Sequence, residues 1–157
     1  MKSKFLAVIL AIFCNLSLHA AGFGASGTFE FSSDFSAGGT LDFQPDGIPF
    51  IFEGEALFCK DGAKSLCGGI EFLAGNIHLY KAMNFFYAPE LSAGWDFCNQ
   101  SVILGNAFFV GLNGFVFPHV ELFAQAGWKP QILFSRNDVD LRLVNFPVRA
   151  GMRFWTR

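Results

Sequence analysis

Charge is scarce in this sequence. Asp, Glu, Lys and Arg make up 15% of its 157 residues, well under the roughly 25% of ordinary soluble domains. Long apolar runs are also missing. The first one, Phe5 to Phe13, is too short to span a bilayer, which takes about 20 residues, and no later stretch is long enough either. A helical membrane anchor is thereby excluded. Basic excess is absent, with 11 Lys+Arg against 13 Asp+Glu, so nucleic acid is not an expected partner. Beyond residue 20 the only histidines are His78 and His119. Neither lies near a serine nucleophile motif or in convergent spacing with cysteine, which argues against hydrolysis and against a metal centre. The chain reads as non-enzymatic, and nothing in it asks for a cofactor.

What is abundant is apolar surface: 52% hydrophobic residues, 22 of them Phe, together with 17 Gly. The first twenty residues have the layout of a secretory signal peptide. Lys2 and Lys4 precede the apolar Phe5 to Phe13, and Asn15 to Ala21 follows as a polar segment ending in small residues. Cleavage is expected after Ala20, or alternatively after Gly22. Cys14 follows the bulky Phe13, a poor context for lipidation. Residues 1–20 are therefore assigned to the signal and 21–157 to one exported domain. Export, excess apolar surface and no spanning helix point together to a closed sheet.

Alternation of period two runs through the rest, as a pleated strand requires. Gly24 to Ser32 sets Ala25, Gly27, Phe29 and Phe31 against Ser26, Thr28, Glu30 and Ser32. Further strands are expected over 35–43, 50–59, 66–76, 85–97, 102–112 and 120–128. Turns at Ser33-Asp34, Gln44-Pro45-Asp46-Gly47, Lys60 to Ser65 with its Asp61-Gly62, Cys98 to Gln100 and 135–140 separate them. Residues 76–84 are either a prolongation of the fourth strand or a connection. Asn113-Gly114 competes with Pro118-His119 as a hairpin turn, and the sixth strand is blurred by the run Phe108-Phe109-Val110. Lys129-Pro130 reads as a strand emerging into headgroups and water. The closing strand, 144–154, is the clearest: Phe146, Val148, Ala150, Met152 and Phe154 on one face, Arg149 and Arg153 on the other.

The fold class this predicts is all-β, a single antiparallel up-and-down transmembrane β-barrel of about eight strands. Alternation alone does not say which face is inside, because a soluble lipocalin-like barrel has the same period with its apolar face inward. The polar phase is too thinly charged for a whole outer surface and suits a narrow interior. That interior is expected to hold Glu30, Asp42, Glu53, Glu55, Glu71, Glu90, Asp96 and Glu121 facing Arg149 and Arg153 as a charge network, since unpaired buried charge is costly. Trp95, Trp128, Trp155, Tyr80 and Tyr87 are candidates for interfacial belts.

The segments Glu121-Leu-Phe-Ala-Gln-Ala-Gly-Trp-Lys-Pro130 and Phe146-Pro-Val-Arg-Ala-Gly-Met-Arg-Phe-Trp155 resemble small outer-membrane barrels of OmpX and OmpW shape, and in particular the short spirochaetal group of such barrels. The resemblance implies an outer-membrane location, contact with outer-membrane lipid, and insertion by the outer-membrane assembly machinery, which reads a C-terminal strand ending in an aromatic. Here Phe154 carries the apolar phase, and Trp155, Thr156 and Arg157 extend past it. Three functions stay open: a structural or surface-loop barrel with a narrow or plugged polar lumen, an OmpW-like channel or carrier for a small hydrophobic ligand, and a soluble periplasmic lipocalin-like barrel. Cys59 and Cys67 flank a turn symmetrically about Ala63, which predicts a disulfide between them and leaves Cys98 as the odd thiol.

Overall fold

The computed structural model describes residues 21–156, and the signal-peptide assignment at 1–20 lies outside the described residues. Eleven strands form one antiparallel sheet: β1 (Ala21–Phe31), β2 (Ser36–Pro45), β3 (Phe50–Cys59), β4 (Gly62–Phe72), β5 (Gly75–Tyr80), β6 (Met83–Asp96), β7 (Ser101–Phe117), β8 (Val120–Trp128), β9 (Gln131–Phe134), β10 (Val139–Arg142) and β11 (Phe146–Thr156). They make eight staves. β4 and β5 are one stave broken at Leu73-Ala74, since both pair with β6. β8 and β9 both pair with β7 and form another. β10 and β11 form the last, against β9 and β8. Closure comes from β1, which pairs along its whole length with β11, from Ala21 opposite Thr156 to Phe31 opposite Phe146. Every connection is a short hairpin, so the barrel is up-and-down.

The closed sheet has its apolar face outward. Leu91 is 71% exposed whereas Glu90, its neighbour, is 1% exposed. The same inversion holds for Leu41 beside Thr40 and Asp42, and for Phe29 beside Thr28 and Glu30. Water would not tolerate an unbroken apolar belt of this kind, and hydrocarbon would not tolerate the charges. The inward face is thus polar, the reverse of a lipocalin-like carrier.

Three irregularities explain where simple alternation misleads. Asn113 and Gly114 lie inside β7, paired with β6 and β8, and the hairpin turn is Pro118-His119. Residues 76–84 prolong the fourth stave and turn back at Lys81-Ala82, where Lys81 takes a positive φ of 50°. In β4 a bulge opposite Leu57 and Phe58 leaves Lys64 without a partner, because Leu57 pairs with Ser65 and Phe58 with Ala63. Lys64 and Ser65 are consequently both buried, an extra residue re-aiming a side chain.

An eight-stranded barrel is narrow, and several inward positions are glycine for that reason. At Gly38 an added Cβ would overlap the carbonyl oxygen of Ala56 on the neighbouring strand, whereas at the outward Gly54 it would meet nothing within 4 Å. Gly38→Val is therefore expected to lower stability by roughly 1–3 kcal/mol through overpacking, while Gly54→Ala stays near wild type. Urea unfolding of the refolded barrel in detergent micelles measures both; equal midpoints for the two variants would contradict this account of the wall.

Candidate functional site

Among the described residues, the barrel interior is where ionisable groups gather in quantity. All eight acidic residues expected there are buried or nearly so, and each faces a cation. Five cations answer them: Lys64, Lys129, Arg142, Arg149 and Arg153. They fall into three tiers along the barrel axis.

The middle tier is built on Arg149, whose side chain is 1% exposed. β11 lies four places round the ring from β4, so a guanidinium projecting inward from β11 faces the opposite wall. Nη1 bonds both carboxylate oxygens of Glu53, at 3.0 and 2.8 Å, and Nη2 bonds Glu55 at 2.8 Å. Glu90 lies 3.1 Å away and Glu71 3.9 Å. The flat guanidinium rests on the ring of Phe109 with 4.6 Å to its centroid, a cation–π contact strengthened by desolvation. This explains the blurred run in β7: Phe108 and Val110 face out, and Phe109 turns in to carry Arg149. Lys129 reaches the same tier, 3.0 Å from Glu55 and 3.2 Å from Glu90, and Gln125 donates to Glu71 at 3.1 Å.

The tier nearer the described ends of the chain centres on Arg153. Its Nε donates to Asp42 at 2.7 Å, and Nη1 donates to Gln44 at 3.0 Å and Glu121 at 3.2 Å. Glu121 also accepts from the indole of Trp155 at 2.8 Å and from the Asn113 amide. At the other mouth, Lys64 lies 2.9 Å from Ser36 and 3.6 Å from Glu30. Asn145 donates to Glu30 at 3.2 Å. Arg142 sits 3.6 Å from Asp96 and bonds Gln131 at 3.2 Å. Between the middle and Arg153 tiers a hollow among Ser26, Thr40, Asp42, Ile51 and Phe123 amounts to about 10 Å³, on the order of a single water molecule.

Glu53, Glu71 and Glu90 bring carboxylate oxygens within 4.8 Å of one another, a spacing that could hold a cation. Arg149 stands among all three, so the charge compensation there comes from the protein itself. His78 is exposed and bonds Asn84 at 3.0 Å, and His119 is exposed near the carbonyl of Trp155. His78 lies within β5 and His119 in the β7–β8 turn, and among the described residues the two share no hydrogen-bond partner.

Three expectations are corrected. Lys129 does not emerge into headgroups; it is 1% exposed in the interior. It continues the inward parity of Glu121, Phe123, Gln125 and Gly127 across the β8–β9 join, which makes the signal simple extension of the alternation. Cys59 and Cys67 are not opposite one another. The turn is tighter than the sequence symmetry implies, so Cys59 pairs with Gly62 and Cys67 with Glu55. Four strand steps, about 13 Å, separate the two along the ladder, far beyond the roughly 7 Å that a disulfide tolerates. Cys67 is buried in the interior and Cys59 lies at the rim. Trp155, expected in an interfacial belt, instead bonds Glu121, while Trp95, Trp128 and Tyr80 face outward. Lys64 and Arg142 were not expected in the network, the first because of its bulge and the second because it precedes the closing strand.

Arg149→Met removes the cation and leaves Glu53, Glu55 and Glu90 buried together. The expected cost is roughly 3–5 kcal/mol, the range for breaking a buried pair by deleting one partner. Combining it with Glu53→Gln and Glu90→Gln should restore part of the loss, because the uncompensated charges go with it. Unfolding curves of the single and combined variants check this, and no rescue would argue that packing on Phe109 rather than charge is what Arg149 supplies.

No protein-family model matches the chain, and no curated protein does. Among solved structures, the barrel is similar to Neisserial surface protein A (NspA), with a TM-score of 0.53 and 14% identity over 86% of this chain and 95% of that one. A chain described under "De novo design of transmembrane beta-barrels" superposes at a TM-score of 0.49 and 9% identity, over 87% of this chain and 95% of that one. The likeness to NspA is one of fold: a closed, eight-stranded antiparallel transmembrane β-barrel.

Proposed function

We propose that the chain is an integral outer-membrane barrel whose interior is plugged by its own side chains, serving envelope structure or presenting its short hairpins outside the membrane. The observation that carries this reading is the inverted burial: Leu91, Leu41 and Phe29 face outward while Arg149, Glu90 and Glu55 are sealed within. Such a surface is stable only in a bilayer. The signal-like layout of residues 1–20 and the fold likeness to a Neisserial surface protein support an exported, outer-membrane address. The β11 strand, apolar at every outward position through Phe154, is the segment we assign to the outer-membrane assembly machinery, in keeping with the resemblance to the spirochaetal and OmpX-like barrels. Outer-membrane lipid is then the main partner, and the role is non-catalytic.

The tiers supply the reason for assigning a plug rather than a pore. Arg149 spans the interior to Glu53 and Glu55, and Arg153 bridges Asp42 to Glu121. A passing solute would have to break buried charge pairs at two levels. The main alternative, a carrier of small hydrophobic molecules, needs an apolar path through the wall. The large apolar hollow by Tyr80, Met83, Leu112 and Ala150, about 680 Å³, opens on the outer face, and Phe123 at its base leads to the Arg153 tier.

Two measurements test the reading. The native protein should remain in the outer-membrane fraction after alkaline washing and migrate faster on gels unheated than boiled; recovery from the soluble periplasm overturns the membrane assignment. Reconstituted in planar bilayers, it should give no unitary conductance steps. Steady ohmic steps would replace the plug with a channel.

A further inference from the structure

The rim opposite the described chain ends carries two thiols that the network does not use. Cys59 ends β3 at the β3–β4 hairpin, and Cys98 sits in the β6–β7 turn. They are 39 positions apart in sequence, yet their sulfurs lie 3.9 Å apart. The strand between them, β4, starts at Gly62 with a positive φ of 124°, and the Cys98 sulfur passes 3.8 Å from the carbonyl of Ala63. Phe97 is held to this strand by the hydrogen bond its backbone N–H donates to the Lys64 carbonyl, 2.8 Å, so Cys98 is tethered next to the β3–β4 hairpin. Cys98 is exposed and Cys59 partly so, which leaves both open to an oxidant.

We propose that Cys59 and Cys98 form a disulfide that staples the two hairpins at this mouth. Each thiol gives up its proton and one electron; the S–S bond forms, and the two electrons and two protons pass to the disulfide of a thiol-oxidising carrier protein, which leaves as a dithiol. The sulfurs must close by about 2 Å to reach bonding distance, a movement shared between Cys98 in its exposed turn and Cys59 at the last position of β3. Cys67, buried inside the barrel, stays reduced. The bridge spans one side of a hollow of about 570 Å³ lined by Asp34, Lys60, Lys64, Asp96 and Arg142, and so fixes the rim above the Lys64 and Arg142 pairs. The proposal rests on the exported, outer-membrane reading for its oxidising compartment, and on geometry alone for its choice of partners.

The test uses the whole barrel from two sources: outer membranes prepared without reductant and with thiols trapped at lysis, and barrel refolded in detergent micelles with oxidised glutathione. Peptide mass spectrometry is expected to find a Cys59–Cys98 cross-link in both, lost on reduction, with Cys67 labelled only after unfolding. Cys67→Ser should keep the cross-link. Reductant should lower the unfolding midpoint of the wild type and leave that of Cys98→Ser unchanged. Free thiols at both positions in the refolded barrel, or a Cys59–Cys67 link, overturn the pairing. A cross-link in the refolded barrel alone keeps the pairing and counts against the exported location.

Discussion

The guanidinium of Arg149 is the interaction on which the rest of the barrel depends. A closed sheet of eight staves leaves an interior just wide enough for side chains, and charges placed there have no water to fall back on. Arg149 answers them from one wall to the other, engaging carboxylates on β3, β4 and β6 at once. Its planar fork matches two carboxylates better than a point charge would, and its flat face uses Phe109 as a floor. The inward glycines, the partner lysine at 129 and the amide of Gln125 follow from the same need, to seat and neutralise a crowded charge cluster.

The outer face answers to a different solvent and shows a different chemistry. Phe, Leu, Ile and Val alternate with buried polar residues along every long stave, and aromatic pairs such as Phe23–Phe43 and Phe50–Phe72 lie across neighbouring strands. Neither face is stable without the other's environment. Placed in water, the belt would aggregate; opened to lipid, the interior would be stranded. Membrane insertion and charge pairing are therefore two sides of one constraint, imposed by the period-two pleat.

Much of this was legible in the sequence because that pleat is so regular. Eight staves, their outward residues and the inward placement of Glu30, Asp42, Glu53, Glu55, Glu71, Glu90, Asp96, Glu121, Arg149 and Arg153 follow from parity. What parity could not supply is where it is interrupted. The bulge at Lys64 flips one position, and a tight turn at Lys60-Asp61 moves Cys59 away from Cys67 and toward Cys98. Lys129 was hidden by its neighbour Pro130, which resembles a strand end but occupies a join between β8 and β9. Asn113-Gly114, a strong turn dipeptide in isolation, is overridden by pairing on both sides of β7. Chain order alone sets which stave faces which in an up-and-down ring, but the level at which residues meet across it depends on the stagger of the paired strands, which parity does not give.

The central claim is that the apolar phase meets hydrocarbon and the charged phase is sealed, and β11 offers the cleanest place to examine it. In a background without native cysteines, nitroxide labels attached at Val148→Cys, Ala150→Cys and Met152→Cys, all on the outward phase, report collisions with dissolved oxygen and with a water-soluble nickel chelate in reconstituted bilayers. The account predicts high oxygen and low nickel accessibility at all three. Nickel accessibility at Ala150 and Met152 equal to that of a label in the exposed Ser33-Asp34 turn would contradict it.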